Sequence, residues 1–356
     1  MNLKIFNETI QNPVFPTTRY QGSKNKIIDW ISLVLTEQNL SYETVLDGFG
    51  GSGAVSYMFK KMGKSVTYND ALKFNSIIGK ALIENSDTTI DSNDLKYILT
   101  KNKNINYPTF IFDNFHDVYY TDEENKWLDI IITNIRSIKN EKKQAIAYFA
   151  LFQSCIIKRP YNLFHRKNLY VRTQEVTRTF GNKKTWDTPF EEHFKKFIYE
   201  ANNAIFSNKK SNNSLNMDIM NINEKFDLVY IDSPYISAKG IGVDYLDFYH
   251  FLEGIVDYDN WVNRIEEKTK HKRLKRYEHV SQWSKKYIIT KSFEELFEKF
   301  KDSILVVSYR EDGIPSLQEL ENLMKKYKKE IIEIKSIEYK YALSSKKTSE
   351  ILIIGK

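Results

Sequence analysis

Asp232-Ser233-Pro234-Tyr235 closes the apolar run Phe226-Asp227-Leu228-Val229-Tyr230-Ile231. A buried strand that ends there hands a cleft a carboxylate, an extended backbone, a proline and a flat aromatic ring. Those features suit one task, holding an exocyclic amino group of a nucleic-acid base. Such a nitrogen is a poor nucleophile because its lone pair is delocalised into the ring. The Asp232 carboxylate and the Ser233 carbonyl would accept its two N–H bonds and localise the lone pair on nitrogen, acting by orientation and electrostatics. Pro234 disfavours the helical region at Ser233 and keeps that carbonyl aimed at the pocket. Tyr235 offers an extruded base a stacking face, worth roughly 1–3 kcal/mol, which helps offset the unstacking that flipping requires.

Far upstream, Val45-Leu46-Asp47 leads into Gly48-Phe49-Gly50-Gly51-Ser52-Gly53. The spacing fits G-x-G-x-x-G, in which glycines allow a tight turn and close approach of a nucleotide cofactor. Asp70, at the end of the next strand, is placed to accept hydrogen bonds from ribose hydroxyls. The turn alone also fits a nicotinamide-dependent oxidoreductase. Asp47 and the overlapping reading Phe49-x-Gly51-x-Gly53 favour a cofactor with an amino-acid ammonium over one with a pyrophosphate. No G-K-[ST] follows, so a P-loop is excluded.

These residues need a scaffold, and the periodicity supplies an α/β one. Ile27, Ile28, Ile31, Val34 and Leu35 mark a helix, Thr44-Val45-Leu46 a strand, Ala54 to Met62 a helix and Ser65-Val66-Thr67-Tyr68 a second strand. That is one βαβ half of an open parallel sheet. Helices are expected around 141–157 and 190–206. Strands and helices alternate again from 226, through 303–309, 316–328, 331–337 and 351–354. Residues 85–125 show no clear pattern. The simplest parse is a discontinuous catalytic domain, 1–100 and 205–356, interrupted by an insertion over 101–204.

The 356 residues carry 53 Lys+Arg against 46 Asp+Glu, a net charge of +7 that permits nucleic acid without demanding it. Cys155 is the only cysteine, so an intramolecular disulfide and a cysteine zinc cluster are excluded. The six histidines show no metal spacing, and no metal is expected. No stretch approaches the roughly 18 apolar residues of a membrane span, so a soluble, cytoplasmic protein is expected, with no membrane partner.

The order of these motifs resembles that of the alpha-group, Dam-like DNA adenine-N6 methyltransferases, over most of residues 19–356. Arg19-Tyr20-Gln21-Gly22-Ser23-Lys24 is similar to their N-terminal loop, Asp47-x-Phe49-x-Gly51-x-Gly53 to their cofactor turn, and Asp232-Ser233-Pro234-Tyr235 to D-P-P-Y. The resemblance implies a Rossmann-like class I methyltransferase sheet with helices on both faces, interrupted by a target-recognition insertion, and S-adenosylmethionine as cofactor. It places Tyr20 and Lys24 at the methionine end of the cofactor, Lys24 near its carboxylate. Asp47, Phe49, Gly51 and Gly53 would form the turn, Asp70 would bind the ribose and Asp218 the adenine amino group. Ser308 to Gly313 and Ser349 to Ile354 are similar to the family's late strands. Tyr249-His250-Phe251-Leu252-Glu253-Gly254 looks closer to restriction-associated members, which implies a cognate restriction endonuclease as partner. Ser233 departs from the family's usual proline and moves the tetrapeptide toward the S-P-P-Y of N4-cytosine enzymes, while Asp232 still favours adenine.

Lys158 to Lys184 holds eight Lys or Arg and one acid, Glu175, with Tyr161, Phe164, His165, Tyr170 and Phe180 between them. That mix fits phosphate contacts and stacking or wedge residues on double-stranded DNA. Lys158, Arg159, Arg166, Arg172 and Arg178 are the candidate DNA contacts, and a bidentate arginine among them could read a guanine. The expected protein is a monomeric, site-specific adenine methyltransferase. The competing readings are an N4-cytosine or RNA methyltransferase on the same scaffold, an NAD-dependent oxidoreductase, and a DNA-binding module without catalysis.

Overall fold

The structure is a computed structural model that describes residues 13–175, 183–275, 282–339 and 348–356. The chain forms two compact units. One comprises Tyr20–Gly79, Asn208–Tyr245 and Arg276–Lys356; the other comprises Met1–Arg19, Lys80–Ser207 and Leu246–Lys275.

The first unit is built on a seven-stranded sheet of β1 (Thr44–Asp47), β2 (Ser65–Asn69), β3 (Asn213–Leu215), β4 (Leu228–Ile231), β5 (Ile304–Arg310), β6 (Ile331–Tyr339) and β7 (Thr348–Gly355), in the order β3-β2-β1-β4-β5-β7-β6. Neighbours from β3 to β5 run parallel, and β7 is antiparallel to both β5 and β6. This is a mostly parallel, Rossmann-like sheet, as the resemblance implied. All four residues of β4 and the first six of β5 are buried, as expected of central strands covered on both faces. Edge strand β6 instead carries Glu333, Lys335 and Glu338, charges that discourage pairing with another chain. One core cluster joins Val229 and Ile231 to Phe293, Leu296, Leu320 and Ile353, so helices Ile289–Lys299 and Leu317–Tyr327 cover the sheet through their apolar stripes.

The second unit is helical, and its axis is the helix Glu141–Ile157, buried without a break from Ala145 to Ile157. Helix Phe190–Ala204 packs along it. Helix Asp122–Arg136, which the sequence reading passed over, starts at a capping box between Thr121 and Glu124. The unit differs from the 101–204 insertion. It also contains helix Ser92–Leu99, held where Asn134 Nδ2 donates to the Ile98 carbonyl at 2.8 Å, and residues 246–275, where Phe164 N donates to the Phe248 carbonyl at 2.9 Å. No helix among the described residues is long and apolar enough to cross a membrane.

Candidate active site

β1, β2 and β4 are adjacent and parallel, so their carboxyl ends open on the same side, where ligands bind in open α/β sheets. Register pairs Asp47 with Tyr230, which brings the glycine turn and the Asp232 tetrapeptide to neighbouring strand ends.

The turn is tied from several directions. Gly50 N donates to the Asn69 carbonyl at 2.8 Å, Tyr68 Oη to the Gly51 carbonyl at 2.8 Å, and Asn69 Nδ2 to the Gly48 carbonyl at 3.2 Å. Asp70 accepts from Gly51 N at 3.0 Å and from Leu72 N at 2.8 Å, so this carboxylate fixes the turn itself. Burial raises the Asp70 carboxyl above its ordinary range against those two donors. Asp47 is buried, and Ser56 Oγ donates to it at 2.6 Å. Burial pushes the Asp47 carboxyl up to about 7, with the Ser56 bond opposing and the Asp232 and Asp70 charges adding. Gly51 has φ +48°, and a Cβ there would lie 3.1 Å from the Tyr20 ring. That ring stacks on Tyr245 at 5.7 Å, and its hydroxyl accepts from Asn75 Nδ2 at 3.0 Å. Phe49 is half-buried, edge-on to Trp283 at 5.0 Å. Gly53 adopts φ 80° at the start of helix Ala54–Lys61. Asp218 is exposed and accepts from Met220 N at 2.9 Å.

Asp232 follows β4 directly. Lys24 Nζ lies 2.7 Å from Asp232 Oδ1 and 3.1 Å from Glu350 Oε1, on β7. Lys24, expected near the cofactor carboxylate, is thus bonded to the tetrapeptide and to Glu350. Burial raises the Asp232 carboxyl to about 6, with Lys24 opposing and Glu350 adding. Ser233 is buried, and its hydroxyl has no hydrogen-bond partner among the described residues. Tyr235 is buried with its ring edge-on to Tyr309 at 6.4 Å and the Arg310 guanidinium 5.1 Å from its centroid. The following Ile236 pairs with Ile314 in a two-stranded sheet, which anchors the tetrapeptide from behind.

The basic stretch divides sharply. Lys158, Arg159 and Arg172 are buried in the helical unit, which corrects their reading as DNA contacts. Lys158 Nζ donates to the carbonyls of Trp186 at 2.6 Å and Thr188 at 2.5 Å and pairs with Glu124 at 2.9 Å. Arg172 shares Glu124 at 2.7 Å and donates to the Tyr119 carbonyl at 3.1 Å. Arg159 lies over the Tyr119 ring and donates to the Leu163, Tyr119 and Arg166 carbonyls and to Asn168. For Lys158 and Arg159 the sign in the sequence was the run from Ala145 to Ile157, apolar but for Gln153 and Ser154, because a helix with almost no polar face delivers its last residues to the interior. Arg166 is exposed; Arg178 lies outside the described residues. Tyr161 is 52% exposed with φ 62° and sits in the loop that Arg159 braces. In a second basic stretch, Lys268-Thr269-Lys270-His271-Lys272-Arg273-Leu274-Lys275, Lys272 pairs with Glu267 and Arg273 with Glu266, so part of its charge is neutralised locally.

Arg159→Ala is expected to lower stability by roughly 2–4 kcal/mol, because it removes a buried side chain that donates to the Leu163, Tyr119 and Arg166 carbonyls and to Asn168. Thermal melting checks this; an unchanged melting temperature would contradict it.

The profile of the D12 class N6 adenine-specific DNA methyltransferases matches residues 20–312, and the chain belongs to that family. It is 30% identical over 251 residues to the type II methyltransferase M2.HphI of Haemophilus parahaemolyticus, covering 68% of this chain and 72% of the relative. It is 28% identical over 328 residues to the type II methyltransferase M.FokI of Planomicrobium okeanokoites, covering 87% of this chain and 47% of the relative. It is 26% identical over 357 residues to the modification methylase LlaI of Lactococcus lactis subsp. lactis, covering 95% and 55%. The chain therefore spans about half the length of the latter two. The oxidoreductase, N4-cytosine, RNA and non-catalytic readings find no support in the family or in these relatives.

Proposed function

We propose that the chain transfers a methyl group from S-adenosylmethionine to N6 of an adenine rotated out of double-stranded DNA, acting as a monomer and as the modification partner of a restriction endonuclease. The observation that carries this is the pairing of β1 with β4, which sets the glycine turn beside Asp232. The cofactor suits the turn, because the ionisable groups bonded into it, Asp47 and Asp70, are acids. They favour an ammonium and hydroxyls over a pyrophosphate. Asp47, Phe49, Gly51, Gly53, Asp70 and Asp218 would hold it, with Tyr20 packed over Gly51. When bound, the cofactor supplies a methyl group activated on a sulfonium sulfur.

The chain's own residues do the rest. Asp232 and the Ser233 carbonyl accept the amino N–H bonds and direct the nitrogen lone pair. Pro234 holds that carbonyl, and Tyr235, braced by Tyr309 and Arg310, walls the base pocket. Lys24 yields its bond to Asp232 as the amino group arrives. Target reading is assigned to the helical unit, extended beyond residues 101–204 by 80–100 and 246–275. There, exposed Arg166 contacts phosphate and exposed Tyr161 stacks on or wedges beside a base.

Arg166→Ala is expected to weaken duplex binding and to lower the slope of log affinity against log salt by about 1. A binding series across salt, with melting temperature as the control, tests this. An unchanged slope would remove Arg166 from the interface.

A further inference from the structure

Lys24, Asp232 and Glu350 come from three distant stretches of sequence, and their charged ends meet in the sheet unit. Ser308 Oγ, on β5, donates at 2.6 Å to the same Glu350 oxygen that faces Lys24. Glu350 is 0% exposed and Lys24 3%, whereas Asp232 keeps 19%. Asp232 is therefore the open end of the cluster, and Glu350 is sealed behind it.

A carboxylate inside a buried strand is unfavourable unless it serves a charged partner. Neutrality does not call for this one, since Lys24 and Asp232 already balance each other. A simple pair would also be a poor place for chemistry, because the ammonium would compete with the target amino group for Asp232. On the reading that Asp232 receives that amino group, we propose that Glu350 is a positioning residue that shares the Lys24 ammonium and leaves the cluster net negative toward the reacting nitrogen.

In the transfer the amino nitrogen's electron pair forms the new N–C bond, and the electron pair of the broken C–S bond stays on sulfur. The nitrogen carries positive charge until one of its protons leaves for Asp232. Fixed negative charge already in place favours that cation without reorganisation at the moment of reaction. Glu350 supplies it from a position no substrate atom reaches. Tyr230, Tyr235 and Asp47 also feel these charges, and Arg310 faces the cluster across Tyr235. All four stay constant in the test below.

Glu350→Gln keeps the shape and an acceptor for Ser308 but removes the charge. Expected are a roughly 10–100-fold fall in kcat, a shift of the acidic limb of kcat/KM to lower pH, and partial recovery in Glu350→Asp. Lys24→Met should move the same limb the opposite way, to higher pH, because Lys24 holds the Asp232 carboxyl down and Glu350 holds it up. A carbon-13 NMR titration of the Asp232 carboxyl, assigned with Asp232→Asn, reads the coupling without turnover. Its midpoint should lie near 6 in the parent and lower in Glu350→Gln. If the Gln variant fails to fold, Glu350→Asp carries the titration. An unmoved Asp232 midpoint overturns the proposal, as does an equal rate loss in the Gln and Asp variants with a fixed pH limb. A midpoint that shifts as stated, in a parent that methylates no adenine, overturns the reading of Asp232 and this role with it.

Discussion

Asp232→Asn is expected to slow methyl transfer by roughly 10²–10³-fold while cofactor affinity stays within about twofold. The amide keeps the size of the carboxylate but cannot take up the proton that the amino group must lose. Its NH₂ would also meet another donor where an acceptor is needed. The neighbourhood survives, because the Lys24 ammonium retains Glu350 at 3.1 Å. Asp232→Ala should be slower still, because it also empties the pocket wall. Single-turnover assays on duplex DNA read the chemical step, and calorimetry reads cofactor binding. Near-normal turnover in either variant would remove Asp232 from the reaction.

Gly50→Ala should be the most damaging change on the cofactor side. A Cβ there would lie 2.1 Å from Tyr68 Cε2 and 2.4 Å from Cζ. That ring cannot swing aside, because Tyr68 is fully buried on β2, its hydroxyl donates to the Gly51 carbonyl, and Gly79 closes its other side. The turn must move instead. We expect a loss of about 1–3 kcal/mol in stability and at least a roughly 100-fold loss in cofactor affinity, since a 1.4 kcal/mol displacement of the turn already gives tenfold. Gly63→Ala is the control. It carries backbone strain at φ +76° but meets nothing within 4 Å. It should cost about 1–2 kcal/mol and leave cofactor binding unchanged. Parent-like cofactor affinity in Gly50→Ala would show that the turn is not the binding site.

Much of this site was legible because its signals are local. An apolar run ending in Asp232-Ser233-Pro234-Tyr235 announces a buried strand and what it presents, and β4 is buried throughout. The turn from Gly48 to Gly53 and the strand ending before Asp70 were likewise readable from spacing. Direction was not, because the apolar residues Ile351 to Ile354 look the same in a parallel strand or in the antiparallel β7 that forms. Long-range pairing was equally hidden. Nothing in Ser349-Glu350-Ile351 names Lys24 as a partner, although a lone acid in an apolar strand was a sign that a cation must meet it. The arginines were misjudged for a physical reason. Sequence counts charge, whereas Arg159 and Arg172 use theirs to satisfy backbone carbonyls inside a helical unit. Helix Asp122–Arg136 was missed because its polar first turn hides the stripe formed by Leu128, Ile131, Ile132 and Ile135.

One measurement reads the reaction directly. The purified chain is incubated with methyl-labelled S-adenosylmethionine and unmethylated AT-rich duplex DNA, and the DNA is then digested to nucleosides for mass spectrometry. Labelled N6-methyladenine is expected, formed roughly 10²–10³-fold more slowly when Asp232→Asn replaces the parent. Labelled N4-methylcytosine, or no methylated nucleoside from protein shown by calorimetry to bind the cofactor, would contradict this.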